Sequence, residues 1–370
     1  MKLVRNIILV LGLSMTLWNH VQAEMSSITE GVEWPISLNV SCQKLGAAVA
    51  CSFDFINKND KEDYYILKRG TPLEGLLSPF ISLNYKGNYQ LQYKGIHVHR
   101  NPPERDEFIL LRSGKSISAS VAINNVFEFP KDGLYTVTYI SPLQYISKTS
   151  MELESSEYQL IQSQVKKSFS IYLEDVAASV SKPFKEENKG RLIDLLSIEG
   201  CGSAGFIGGS IKQKIGITKA HTQLCKHYRV AKNKIDNTQL YETWFGEYTP
   251  SRAKLVTEVI LKCIEGLEGN AVTYRINPSM CRYNWNAFTY ANSNSVSLCP
   301  AYHHRDIYCK RHGSPTKESI LAHEWTHAFG WTRDFVYGEK RTKELAKKDP
   351  WKAVMNADSY EYFYCISQYQ

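Results

Sequence analysis

His323-Glu324-Trp325-Thr326-His327 is a segment whose residue types and spacing suit it to chemistry. On a helix, side chains at i and i+4 stand one above the other, so both imidazoles can reach a single zinc ion. Glu324 comes directly after the first histidine, where its carboxylate can hold a water beside that ion and take its proton. This is the equipment of a metal-assisted hydrolase. The bland alternative is a surface helix with two unrelated histidines. Zinc also needs a third protein ligand, which must lie close after His327 or return from a later element. Neither a third histidine at H-x-x-G-x-x-H nor the pattern of a glutamate ligand on a following helix is present. Beyond the motif the chain reads Gly330-Trp331-Thr332-Arg333-Asp334-Phe335-Val336-Tyr337-Gly338. A loop that leaves the histidine helix and turns back would bring Asp334 to the metal and set Tyr337 one turn beyond it.

A second constellation lies at Asp349 to Phe363. Asp358 and Glu361 are three apart, so on a helix their carboxylates share one face. Two acids converging on one pocket repel each other unless a cation sits between them, and a substrate lysine ammonium is the natural occupant. The alternatives are a solvated acidic face, or an Asp358 that only caps the helix. His97-Val98-His99 falls in an alternating stretch, and period two puts both rings on one face of a strand. They read as ordinary surface histidines, with a metal pair as the less favoured alternative.

These residues need two kinds of scaffold. Residues 24 to about 175 carry short alternating runs rich in β-branched and aromatic residues, such as Val49 to Phe55 and Leu134 to Tyr139, separated by Gly, Pro, Asn and Asp. They predict an all-β sandwich of immunoglobulin-like type, with Cys42 and Cys51 paired across a hairpin. The polar stretch Ser181 to Arg191, broken by Pro and Gly, predicts a linker. Beyond it the period becomes helical: Ile217 to about Lys234, a helix opened by Thr249-Pro250 and running toward Gly266, another from Ser314-Pro315, and a fourth from Asp349-Pro350. A loop and strand insertion is expected around 270–310.

The chain has 370 residues, 22% charged and 43% hydrophobic, which excludes disordered, collagen-like and multi-spanning classes. Its length suggests two domains. Lys2, Arg5, the apolar run Ile7 to Trp18 and Val21-Gln22-Ala23 predict a secretory signal over 1–23. Removing it takes two positive charges from the net +7 and leaves +5, an excess read as solvated lysines and not as a nucleic-acid surface. No other stretch is long and apolar enough to span a bilayer. Nine cysteines without a C-x-x-C pair agree with export to an oxidising compartment, and the odd number leaves one unpaired within the chain.

The two motifs together resemble the aspzincins, the deuterolysin and peptidyl-Lys metallopeptidase family (peptidase family M35), whose pattern is H-E-x-x-H and then G-T-x-D-x-x-Y-G. Thr332, Asp334, Tyr337 and Gly338 fit, and Trp331 stands where the family has Gly. The likeness runs from about Gly200 to Cys365 and includes Trp244 to Tyr248 with Ser251-Arg252. It implies a mainly α zincin-type domain in which His323, His327 and Asp334 hold one zinc ion. Glu324 is implied as general base, and Tyr337 as a hydrogen-bond donor to the oxyanion. Asp349 to Phe363 is similar to the lysine-specific branch. There the residues matching Asp358 and Glu361 recognise the lysine after the scissile bond, and Glu361 is the discriminating one. Tyr302 falls where the deuterolysin branch has a functionally important tyrosine. The resemblance also implies the disulfides Cys281–Cys299 and Cys309–Cys365. Cys201 matches a family cysteine whose partner near Ser279 is missing, while Cys225 and Cys263 lie on helices that could be cross-linked.

The resulting expectation is a multidomain, monomeric zymogen: signal 1–23, β-sandwich propeptide 24–175, linker with processing site 176–197, and zinc endopeptidase 198–370. Its partners would be protein or peptide substrates with lysine, and the propeptide within the same chain. No nucleic acid and no membrane span are expected. A broad-specificity peptidase and a non-catalytic secreted binding protein are the alternatives.

Overall fold

Where the sequence changes period, the chain changes architecture. The computed structural model describes residues 34–153, 158–176, 193–197, 201–312 and 315–369. The expected signal and most of the linker, with Lys182, Lys185 and Lys189, lie outside these residues.

The first half contains β1 (Ile36–Leu45), β2 (Ala48–Asn57), β3 (Tyr64–Leu67), β4 (Ile81–Tyr85), β5 (Tyr89–Gln90), β6 (Ile96–Arg100), β7 (Phe108–Leu111), β8 (Ser116–Ala122), β9 (Gly133–Tyr139), β10 (Leu143–Ser147), the short helix α1 (Lys148–Leu153), β11 (Ile161–Ser163) and β12 (Lys167–Leu173). All but β6 form three small antiparallel sheets, β1-β2-β8, β11-β10-β3-β7 and β12-β9-β4-β5. Strict alternation on β2 turns Val49, Cys51, Phe53 and Phe55 inward, onto a core shared with Leu83, Tyr135, Val137 and Tyr139. Cys42 faces Cys51 in register and the two are bonded.

The second half runs β13 (Ile193–Ser197), β14 (Ser203–Ile207), α2 (Ile211–Asn233), α3 (Gln239–Phe245), α4 (Pro250–Gly269), β15 (Ala271–Ile276), β16 (Trp285–Tyr290), β17 (Ser295–Leu298), α5 (Pro300–His303), α6 (Lys317–Gly330), α7 (Glu339–Lys348), α8 (Pro350–Ala353) and α9 (Ala357–Ile366). The strand insertion expected around 270–310 belongs to a larger sheet, ordered β13-β14-β15-β17-β16-β6. Its last strand comes from the first half: β6 pairs antiparallel with β16, and all five of its residues are buried. The histidines expected on a surface are therefore inside, because β6 leaves its own sheets to close the edge of this one.

Helix α6 is buried all round except at Phe329, between α2, α4 and α9 on one side and the sheet on the other. It starts at Lys317, not at Pro315, because the Thr316 hydroxyl accepts from the Ser319 amide and Ser319 returns the bond. Likewise a Ser210–Gln213 capping box starts α2 six residues before Ile217. Asp349 caps only the single turn of α8; the helix bearing the acidic pair starts afresh at Ala357. Among the described residues no helix is long and apolar enough to cross a membrane.

Cys281–Cys299 and Cys309–Cys365 are bonded, and the remaining pair is Cys201–Cys225. Cys263 is the free thiol, buried on α4 with its Sγ on the Trp325 carbonyl, and burial pushes its pKa up to about 12.

His221 ties this region together. Its Nε2–H donates to the Cys201 carbonyl (3.0 Å) and its Nδ1 accepts from the Tyr274 hydroxyl (2.6 Å). Burial lowers its pKa from 6.5 to about 4. The unfolded chain therefore binds a proton there at a pH where the folded chain does not, and stability drops as pH falls between those two values. The expected loss from this one group is about 3 kcal/mol. Denaturant unfolding from pH 7 to pH 4.5 should show it, and His221→Gln should flatten that part of the profile; an unchanged slope would clear His221 of the effect.

Candidate metal centre and active-site cleft

Helix α6 presents His323 and His327 with their Nε2 atoms 3.0 Å apart. Asp334 Oδ1 lies 3.1 Å from the first and 3.2 Å from the second. Each ring is oriented from behind. The Nδ1–H of His327 donates to the Thr332 carbonyl at 2.9 Å, which leaves Nε2 free to act as a ligand. His323 Nδ1 faces Asp358 Oδ1 at 3.0 Å and Glu361 Oε2 at 3.2 Å.

Asp334 reaches the histidines because the chain reverses at Trp331, which closes α6 in the left-handed conformation (φ 59°, ψ 29°). Gly takes that conformation freely, and a residue with a Cβ pays about 1 kcal/mol. Trp331 offsets this with an indole N–H bond to Asn292 (2.7 Å) and with Lys262 4.2 Å above its ring. The loop is then pinned to the turn before α9. The Arg333 amide donates to the Met355 carbonyl (2.7 Å), and the Phe335 and Val336 amides donate to Asn356 Oδ1 (2.9 and 3.2 Å). Gly338, at φ 85°, donates its amide to Asp358 Oδ2 at 2.7 Å.

The donors fit zinc. Two imidazole nitrogens and a carboxylate oxygen form a triangle of 3.0–3.2 Å sides. Ligands at ~2.0–2.1 Å from a tetrahedral ion are ~3.3 Å apart. Asp334 Oδ1 meets both ring nitrogens, and the Glu324 carboxylate is fully buried on the same helix. Three donors converging on one point beside a buried carboxylate mark where an ion and a water belong. Burial disfavours charge on Asp334, but His327 and His323 override it and hold the carboxyl well below the usual carboxylate range. Burial works against His323 too, and Asp334, Asp358 and Glu361 together hold it well above the usual histidine range. For Glu324 burial wins, and its carboxyl lies well above the usual range.

Asp358 and Glu361 are neither solvated nor a bare cap: both are buried on α9 behind His323. Glu361 Oε1 accepts from the Ser319 hydroxyl at 2.6 Å, while Asp358 Oδ1 has the His323 ring nitrogen at 3.0 Å. Tyr337 lies over His323, ring centroids 6.4 Å apart, and its hydroxyl donates to the Val98 carbonyl at 2.9 Å. Tyr302 stands apart. It is wholly buried in the core of this half, against His303 and under Lys317.

Sequence reasoning missed the contribution of β6. His97 and His99 are 4% and 3% exposed; His97 stacks on His327 (4.3 Å between centroids) and His99 meets His323 edge-on (4.5 Å). The paired histidines were a visible signal, but nothing local says which sheet the strand joins. Ser319, Asn286 and Asn356 were equally hidden, since each acts through a contact distant in sequence.

Residues 230–365 match the family model for lysine-specific metallo-endopeptidases, the aspzincins. An extracellular protease of Aeromonas hydrophila is 21% identical over 295 residues, 74% of this chain and 76% of that one. The peptidyl-Lys metalloendopeptidase of Armillaria mellea is 25% identical over 262 residues, 69% and 68% respectively. The solved zinc peptidase of Grifola frondosa is 28% identical, with a TM-score of 0.38, over 42% of this chain and 96% of that one. A Thr-x-Asp-x-x-Tyr-Gly loop folded back on a two-histidine helix agrees with these sequence matches: the helical half of the chain is similar to the aspzincin metalloendopeptidases, peptidase family M35, on the side of the lysine-specific branch.

Proposed function

We propose that this metalloendopeptidase is an exported zymogen that cuts peptide bonds on the N-terminal side of lysine. The observation that carries the reading is the convergence of His323 Nε2, His327 Nε2 and Asp334 Oδ1 within 3.0–3.2 Å of one another, with the Glu324 carboxylate buried on the same helix. His323, His327 and Asp334 hold the zinc, which when bound polarises the scissile carbonyl and lowers the pKa of water to about 7.

The chain's own residues do the rest. Glu324, with the raised proton affinity that burial confers, takes a proton from the attacking water and passes it to the leaving nitrogen. Tyr337 donates its hydroxyl to the oxyanion that develops on the scissile carbonyl, and its present bond to a peptide carbonyl supports that role. Asp358 and Glu361 receive the ammonium of the lysine that comes after the cut. One observation favours the broader specificity: both carboxylates already face His323 Nδ1, a contact that orients the ligand whatever the substrate.

The signal 1–23 and the disulfides support export, as does the likeness to a protease named as extracellular. Residues 24–175 act as a propeptide, released by a cut within 176–197. Lys182, Lys185 and Lys189 there make self-processing possible for an enzyme that cuts before lysine.

Three measurements test these assignments. Asp334→Ala should weaken zinc retention by at least about 100-fold in a dialysis and metal-content assay, whereas Glu324→Gln should keep the ion and lower kcat by about 10²–10⁴-fold. Mass-spectrometric mapping of cuts in a denatured protein should place them before lysine, and Glu361→Leu should scatter them. Scattered cuts by the unsubstituted enzyme would sink the lysine assignment. Purified Glu324→Ala protein should remain untrimmed between 176 and 197; trimming at the normal rate would require another protease.

A further inference from the structure

Strand β6 lies along the free edge of β16 with His99 opposite Ala287, Val98 opposite Phe288 and His97 opposite Thr289. Three consecutive residues thereby engage three parts of the cleft. Val98 offers Tyr337 a peptide carbonyl, at 2.9 Å, as the scissile residue of a substrate would. His99 fills the acidic pocket. Asn286 donates its amide to His99 Nδ1 (3.0 Å), so Nε2 carries the proton and donates it to Glu361 Oε2 at 3.2 Å.

His97 has no such satisfaction. It is buried, its Nδ1 lacks any hydrogen-bond partner among the described residues, and it offers a nitrogen within 4.8 Å of ligand atoms of both His327 and Asp334. A buried imidazole with one unpartnered nitrogen, set beside two donors of a metal site, is the ring on this strand best placed to meet the ion.

We propose that in the full-length chain His97 is a fourth protein ligand of the zinc, so that the N-terminal half closes the metal centre with its own imidazole. The proposal rests on His323, His327 and Asp334 being the other three. Zinc with four protein ligands is a structural site, and catalysis needs one position open. The same strand that delivers His97 puts His99 on Glu361, so metal and specificity pocket are blocked together and would be released together when β6 leaves β16. The buried Arg100–Glu74 ion pair and the stacking of Arg100 on Trp285 hold the end of the strand in place.

X-ray absorption at the zinc edge tests this on full-length protein carrying Glu324→Gln, which prevents self-trimming. The expected spectrum has one zinc per chain and three imidazoles, falling to two in the same protein with His97→Ala. Two imidazoles before that second substitution, with one ion bound, would overturn the role of His97 and leave the other three ligands standing. Less than one ion per chain would overturn the three-ligand assignment itself. Because the count is read first with His97 in place, poor folding of the His97→Ala protein does not blunt the test.

Discussion

A carboxylate oxygen within 3.2 Å of two imidazole nitrogens, with all three groups out of water, is costly to build. Burying such charges costs several kcal/mol each unless they are matched by partners of opposite sign. The second half of the chain is organised to impose that contact. Helix α6 is wrapped on all sides, so its histidines cannot swing out to solvent. The left-handed turn at Trp331 and the bonds from residues 333–336 to 355–356 remove the freedom of the loop that brings Asp334 back. An ion at the meeting point supplies the positive charge that the surrounding acids, Glu324, Asp334, Asp358 and Glu361, otherwise lack.

The acidic pair on α9 couples two jobs. Asp358 accepts the Gly338 amide through one oxygen and faces His323 through the other, so it braces the end of the Asp334 loop and the back of His323 at once. Glu361 joins Ser319 at the start of α6 to the same histidine. The acidic pair and the triangle of donors are thus mechanically continuous through His323, and a substitution in the pair should be felt at the triangle.

The legible parts of the molecule were those in which cause and effect lie within a few residues. The i, i+4 histidines share a helix face by helical geometry alone, and the hairpin disulfide Cys42–Cys51 comes from alternation across a short turn. Thr249 capping α4 was readable for the same reason. Helix starts were misjudged where two caps compete, as at Pro315 against Thr316, because only the side-chain geometry decides which hydroxyl meets an amide. The placement of β6 was illegible. Its five residues alternate like any strand, and whether they pair at home or across to β16 depends on which edge is left unfilled, a property of the assembled sheets.

By itself the sequence determined the chemistry: two histidines and a glutamate on one helix, an aspartate and tyrosine on a short return loop, and two acids one turn apart. Those are local spacings, and backbone geometry converts them directly into shared faces. Only the tertiary structure decided that the acidic pair stands directly behind His323, that Cys263 is the odd thiol, and that a strand from the other half of the chain lies in the cleft. Each of these is a contact between residues far apart in the chain. Such contacts are set by which surfaces remain unburied once every element has packed, and no spacing along the sequence encodes that.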